Sequence, residues 1–367
     1  MAHSHPVIGR RRAARVRAVR HPRREPRFFA SGYPFHLVVD PAHGSWPADS
    51  AEFVVRLLFE MKFYLLFSFS SATASSCSRP PRSGPAPTSP HGSSAGSAAF
   101  LTTYALLGLV LLAVHRIRPR TAVIAAGVIV VVMAAGAAVA ALAGADLVAD
   151  RGAALADGRA STDALDGGPG SVIGEHVRSL PVMAGSLAVQ GPLALSAFLV
   201  GLATGRHQLL ADGIGRHAVA LRRLELVGYP VGLTGALVFA VGGGTVGLAG
   251  LAVCILTAPL LTGAYVATLL RVFATPRGAR LAPVLAPAGR MALSNYLGQS
   301  LLGVLIFTGV GLGLTGDTPP ALVPVVAAAI FALQLELSRR WLARYRHGPV
   351  EWALRAVTNA ERPPMRR

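Results

Sequence analysis

Apolar residues gather into seven blocks along the chain, at roughly 100 to 114, 121 to 145, 181 to 204, 224 to 242, 246 to 270, 291 to 314 and 321 to 337. Each approaches the ~20 residues that an α-helix rising about 1.5 Å per residue needs to cross a hydrocarbon core, the first and last blocks being short. Glu225 and Glu336 stand toward block ends, where a long side chain can reach the interface. Stretches such as "AAGAAVAALAGA" are built of small residues that let membrane helices approach closely. The pattern predicts an all-α, polytopic transmembrane helix bundle of about seven spans. One further segment, "FVVRLLFEMKFYLLFSF" at 53 to 69, carries Arg56, Glu60 and Lys62 in its first half. The pattern leaves open whether it crosses the bilayer or lies in its surface.

Charge adds an orientation. Basic residues collect on cytoplasmic loops, whereas acidic residues carry little topological information. Arg116, Arg118 and Arg120 follow the first block, and the next connection, 146 to 180, holds three Arg against six acidic residues. Arg206, Arg216, Arg222 and Arg223 mark the loop after that, and the turn "GGGT" has no charge. Arg271, Arg277, Arg280 and Arg290 mark the following loop, "TGDTPP" has no Arg, and eight Arg follow from 339 onward. Every second connection is basic, so the expected C-terminus is cytoplasmic and the 146 to 180 loop lies outside.

Composition agrees with lipid as the solvent: 52% of the 367 residues are hydrophobic, 14% are charged, and mean hydropathy is +0.51. The net charge of +18 is spread over loop ends and tails rather than one face, which argues against a nucleic-acid partner. Anionic lipid is the expected partner of the Arg clusters, including nine Arg between 10 and 27. Cys77 and Cys254 are too few for a disulfide framework, and neither they nor His3, His5, His207 and His217 stand at metal-ligand spacing, so no metal or cofactor is expected. The expected organisation is a basic, poorly ordered segment at 1–50, an amphipathic or membrane segment at 51–69, and a disordered Ser/Pro-rich linker at 70–99. The transmembrane bundle then occupies 100–337, with a cytoplasmic amphipathic tail at 338–367.

Two amides stand inside the sixth block. Asn295 and Gln299 are four residues apart, hence on one helix face, with Leu302 nearby. An amide without a partner in hydrocarbon costs several kcal/mol, so this stripe is expected to face other helices or a wet cavity. Gln190, Gln334 and Tyr104 offer matching chemistry, and Gln190 is followed by Gly191 and Pro192, a pair able to break a helix. With Arg290 at the block's start and Tyr296 beside Asn295, these residues make the candidate substrate-binding set; helix pairing is the plainer role for the amides, and topology the plainer role for Arg290. After the last block, "RYRHGPVEWALR" sets aromatic residues beside arginines as an interfacial belt does, and Glu351 and Arg355 stand at i,i+4.

The segments "GRMALSNYLGQS" (289 to 300), "QLELSRRWLARYRHGPVEWALRAVT" (334 to 358), "TTYALLGLVLL" (102 to 112) and "MKFYLLFSF" (61 to 69) resemble the signature segments of the YeiB-like bacterial membrane proteins, domain of unknown function 418. Gly348, Pro349, Glu351, Trp352 and Arg355 carry the last of these motifs. The resemblance implies a polytopic protein of the bacterial inner membrane, sometimes described as a transporter, and a distant likeness to many-helix membrane acyltransferases. The N-terminal part departs from it: the Arg run and the Ser/Pro run stand where two spans of the family belong, and residues 8–27 and 70–99 read as out-of-frame sequence or a genuine linker. Carriage of a small solute, acyl transfer and an inactive remnant are the functional alternatives. The first is favoured because the spans offer no deep catalytic base, with His115, Glu225 and Glu336 all at ends.

Overall fold

The computed structural model describes residues 32–38, 46–62, 65–70, 110, 117–148, 150–206, 214–244, 247–314, 322–359 and 363–366. Eleven α-helices are named here: α1 Trp46–Leu58, α2 Pro119–Leu142, α3 Arg151–Leu165, α4 Pro169–Arg178, α5 Leu180–Arg206, α6 Ile214–Val241, α7 Leu248–Ala274, α8 Pro276–Arg290, α9 Ala292–Phe307, α10 Leu322–Arg344 and α11 Pro349–Asn359. A 3-10 turn, Tyr33–His36, precedes them. Among the described residues there is no strand, only an isolated bridge between Tyr345 and Arg366.

Five helices are long and apolar enough to cross a bilayer: α2, α5 from Leu187, α6 from Arg216, α7 and α10. The count of about seven is therefore not reached among the described residues. The block at 100 to 114 lies outside them except for residue 110, as do nearly all of residues 8–27 and 70–99. The sixth block, 291 to 314, does not form a full span. Its helix α9 has 16 residues, about 24 Å against a core of ~30 Å. Beyond Phe307 the chain turns back, with Leu312 N donating to Leu305 O at 2.8 Å and Gly313 in the left-handed region at φ 60. Glycine-rich sequence has no side chain to hold a helix there.

The surface of α2 is inverted relative to a helix in water. Its buried residues are Ala122, Ala126 and Ala134, while Val123, Ile124, Val128, Val131, Val132 and Val139 are exposed. Small residues form the packing seam and large β-branched residues face outward, the arrangement expected where lipid is as apolar as the side chains. The closest seam joins α6 to α7. A Cβ on Gly232 would lie 2.5 Å from Leu261 Cβ and 2.9 Å from its Cα, and one on Gly228 would lie 2.6 Å from the Leu260 carbonyl oxygen. Only glycine allows these backbones so near each other.

Contacts at the helix ends sort the connections into two sets. At the Arg-rich end, Arg206 reaches the Ile117 carbonyl and Arg290 donates to the Arg346 carbonyl at 3.1 Å. At the distal end, Gly309 N donates to Leu165 O at 3.0 Å. The distal connection at 146 to 180, read from sequence as a loop, is largely a helical hairpin, α3 and α4. Asp150 caps α3 through Ala153 N, and the buried Glu175 of α4 accepts from Ser161 at 2.5 Å. The Tyr33–His36 turn docks here, with Gly32 N on Thr162 Oγ1 and His36 Nε2 on Ser161 Oγ, both at 2.8 Å. The Arg-bearing connection 276 to 290 is likewise helical. Thr275 caps α8 through Gly278 N, Pro276 opens it, and Leu281 and Val284 are exposed beside Arg277 and Arg280, as on a helix lying in an interface.

The segment whose crossing the sequence left open enters the bundle. After α1 ends at Leu58, Met61 takes the left-handed conformation at φ 67 and the chain is helical again from 65 to 70. Met61 and Leu65 join Ala134, Leu193, Phe239, Leu251, Cys254, Ile255 and Ala258 in one buried apolar cluster drawn from α2, α5, α6 and α7.

Gly232→Val is expected to destabilise the α6–α7 pair by about 1 to 3 kcal/mol, the usual range for overpacking. Gly136→Ala on α2, where an added Cβ meets nothing within 4 Å, is expected to leave the unfolding midpoint unchanged or slightly raised. Thermal unfolding of the two purified variants in one detergent checks the contrast.

Candidate functional site

The predicted polar residues come together in part. Asn295 Nδ2 donates to the Ala288 carbonyl at 3.2 Å and to Ser338 Oγ at 3.0 Å. Gln334, 6% exposed, donates from Nε2 to the Asn295 carbonyl at 2.7 Å. Asn295 and Gln334 thus meet on facing helices α9 and α10, with Ser338 completing the group. Gln299 does not join them: it is exposed, one turn further along α9. Gln190 is half-buried on α5, which packs chiefly on α2. Tyr104 lies outside the described residues. Tyr296 is exposed, and its carbonyl accepts from Ser300 at 3.0 Å.

Arg290 and the C-terminal motif build one junction at the Arg-rich end. The Glu351 carboxylate caps the N-terminus of α9: Oε1 accepts from Leu293 N at 2.8 Å and Ser294 N at 3.0 Å, and Oε2 from the Ser294 hydroxyl. Ser294 Oγ in turn accepts from Val350 N at 3.1 Å. Two of the orphan amides at a helix start are thereby satisfied by a charge of the favoured sign. The expected i,i+4 pairing of Glu351 with Arg355 is not formed, because both carboxylate oxygens are committed to α9; Arg355 is exposed. Pro349 opens α11, and Gly348 is required by proximity, since a Cβ there would lie 2.1 Å from Glu351 Oε2 and 2.8 Å from Ser294 Oγ. Trp352 Nε1 donates to the Pro363 carbonyl at 2.8 Å and Trp341 Nε1 to the His347 carbonyl at 2.9 Å. Trp341 stacks on Tyr345 with ring centroids 4.4 Å apart. Burial, followed by the charges of Arg355, Arg290 and Arg346, holds the His347 imidazole below its ordinary range.

A second polar group, inside the bundle, was not singled out from the sequence. Glu225 on α6 binds Arg271 of α7 and accepts from Thr268 Oγ1 at 3.1 Å. Thr268 is 2.8 Å from Tyr229 Oη, and the Tyr229 and Tyr265 rings lie 6.0 Å apart. Tyr265 Oη donates to the Leu58 carbonyl at 3.2 Å. One residue earlier on α1, the Leu57 carbonyl, with that of Arg56, accepts from Lys62 Nζ, both at 3.1 Å. These contacts form a track from Arg271 at the Arg-rich end to Lys62 in the apolar cluster. Lys62 is 1% exposed and stands 5.9 Å from the centroid of the Phe239 ring. The sequence held one signal for it: Lys62 is the only lysine among 35 Lys and Arg residues. Tyr229, Tyr265 and Thr268 gave no spacing signal, because their juxtaposition depends on the α6–α7 pairing. Among the described residues no group of three or more His, Cys, Asp or Glu is placed to hold a metal ion.

An outward-facing apolar surface, five long apolar helices and internally paired polar groups define a multi-pass helical membrane protein. Residues 204–361 match the family described as "Protein of unknown function (DUF418)", and over that stretch, less than half of its length, the chain is similar to this YeiB-like family. It is 32% identical to the uncharacterized protein YxaH of Bacillus subtilis (strain 168) over 163 residues, 44% of this chain and 39% of the relative. It is 32% identical over 109 residues, 30% of this chain and 31% of the relative, to an uncharacterized 39.9 kDa protein in the amylase 3' region of Bacillus acidopullulyticus. It is 37% identical over 79 residues, 22% of this chain and 20% of the relative, to the uncharacterized protein YeiB of Escherichia coli (strain K12). The matched stretches thus span less than half the length of each relative. No solved structure matches the chain.

Glu351→Ala, which removes the acceptor from two amides and a hydroxyl, is expected to lower stability by about 1 to 3 kcal/mol. Arg355→Ala is expected to change it by less than about 0.5 kcal/mol. Limited proteolysis of the C-terminal tail, with thermal unfolding, distinguishes the two. His347 has a folded-state pKa below its unfolded value, so its contribution is complete above the unfolded value and declines as pH falls through the folded one. Acidification from neutral toward pH 5 is therefore expected to loosen the tail. Trp352 fluorescence should report the change, and His347→Gln should flatten the dependence.

Proposed function

We propose that the protein is a carrier of a small solute across the bacterial inner membrane, with its Arg-rich end in the cytoplasm. The supporting observation is the polar track from Arg271 through Glu225, Thr268, Tyr229 and Tyr265 to the broken segment at 58–62. Polar side chains are costly in an apolar bundle and mark pathways there, and interrupted helices whose freed carbonyls face the interior are a recurrent way of building carrier sites. The alternation of basic connections supports the orientation. The same arginines are suited to anionic lipid headgroups. The candidate set Gln190, Arg290, Asn295, Tyr296, Gln299 and Gln334 takes a smaller part in this reading, since Asn295 and Gln334 satisfy each other's helices. An acyltransferase needs a base free to accept a proton. Glu225, the carboxylate nearest the track, is committed to Arg271 and Thr268, which favours carriage over acyl transfer.

The test is uptake into proteoliposomes containing the full chain, offered radiolabelled amino acids, sugars and short carboxylates. Saturable uptake of at least one solute is expected, falling roughly tenfold in Tyr265→Phe and Glu225→Gln, as loss of a hydrogen bond worth about 1 to 1.5 kcal/mol would give. Both variants should remain monodisperse. The reading is overturned if no solute is taken up, or if a labelled acyl thioester yields acylated product instead.

A further inference from the structure

We infer that α4 is an interfacial helix whose exposed apolar edge is seated among the acyl chains and glycerol groups of the distal leaflet. The connection at 146 to 180 then rests in the bilayer rather than in water. Ile173, Val177 and Leu180 are 64%, 56% and 41% exposed. Ser179, between α4 and α5, keeps near-helical dihedrals at φ -77 and ψ -9, so the register carries through to Leu180. At about 100° per residue the three fall within roughly 60° of one another, a single stripe with no charge in it. The opposite face is already committed. Val172, Glu175 and Ser179 are buried there, with Glu175 accepting from Ser161 of α3 and from Ser179. Turning the stripe inward would strip a buried carboxylate of its partners.

Continuity and depth name the occupant. On α5 the exposed Ala184 and Ala188 extend the same stripe, and α5 is long and apolar enough to cross the bilayer from Leu187 onward. The edge of α4 thus prolongs a surface that already faces lipid. α9 starts at the Arg-rich end, where Glu351 caps it, and its 16 residues rise about 24 Å. Just beyond its last turn Gly309 N donates to Leu165 O at 3.0 Å, and a Cβ on Gly309 would lie 2.2 Å from the Asp166 carbonyl oxygen. The elbow between α3 and α4 therefore stands near the far edge of a core ~30 Å thick. From there the 10 residues of α4 can climb at most about 15 Å, which keeps the stripe within the interfacial layer. The attraction is apolar: three Arg stand against six acidic residues between 146 and 180, so anionic headgroups do not hold this hairpin as they suit the Arg277 and Arg280 side of α8. Lipid then fixes α4 while the Tyr33–His36 turn holds α3, and Gly309 ties the turn after α9 to the same leaflet.

Nitroxide labels at Ile173→Cys, Val177→Cys and, as the polar comparison, Asp157→Cys on the exposed side of α3 test this in the full chain. The background is Cys77→Ser, with the fully buried Cys254 left in place. In phosphatidylcholine nanodiscs, oxygen, which concentrates in the bilayer, is expected to collide more often than water-soluble NiEDDA with the labels at 173 and 177, and less often with that at 157. Replacing part of the phosphatidylcholine by phosphatidylglycerol should leave these ratios unchanged. Ile173→Trp, read against the parent protein, should add fluorescence that acyl-brominated phosphatidylcholine quenches, whether or not the labelled variants fold. The inference is overturned if NiEDDA prevails at 173 and 177, or if the added fluorescence is not quenched. It is overturned too if both reagents are excluded there, with spin–spin broadening assigning the stripe to a second copy and its absence to another protein surface. An oxygen preference that appears only with phosphatidylglycerol would make headgroup charge the attraction and overturn it as well.

Discussion

Hydrocarbon offers no hydrogen-bond partner, and this constraint organises the molecule. Each polar side chain at depth has to find its partner within the protein, and the described residues show them doing so in linked sets. Asn295, Ser338 and Gln334 join α9 to α10. Glu225, Thr268, Tyr229 and Arg271 join α6 to α7. The same constraint appears from the outside as the valines and isoleucine that α2 turns away from the bundle, with alanines left for the seam.

The two sets differ in what surrounds them. The Asn295 junction lies beside the Arg-rich end, where the tail closes over it. Glu351 there acts as the cap of a helix that follows a short break after α8, and Gly348 provides the room for it. Its geometry is that of a brace. The α6–α7 set is aligned along the helices and continues through Tyr265 and the carbonyls of α1 to a buried ammonium. It depends on the glycine seam, because helices held farther apart would separate Tyr229 from Thr268.

The family match covers 204–361 and so includes α6 through α11, the C-terminal cap and most of the track. Lys62 and the α3–α4 hairpin lie outside that stretch. The part of the molecule that positions the ammonium is therefore assembled from both: Phe239 and Cys254 from the matched region, Met61, Leu65 and Leu193 from outside it.

Hydropathy and the spacing of arginines were enough to establish an all-helical membrane class and the places of α2, α5, α6, α7 and α10, because burial in lipid acts on some 20 consecutive side chains at once and leaves a one-dimensional trace. They also carried the pairing potential of Asn295 and Gln334, since an amide in an apolar block has to be satisfied somewhere. Partner identity left no such trace. That Glu351 caps α9 rather than pairing with Arg355, that Gln299 is exposed, that α9 stops at Phe307, and that Lys62 lies within the core were decided only by tertiary structure. Each depends on which helices approach and how closely, and hydrogen bonds act over about 3 Å between residues that can be separated by hundreds of positions in the chain.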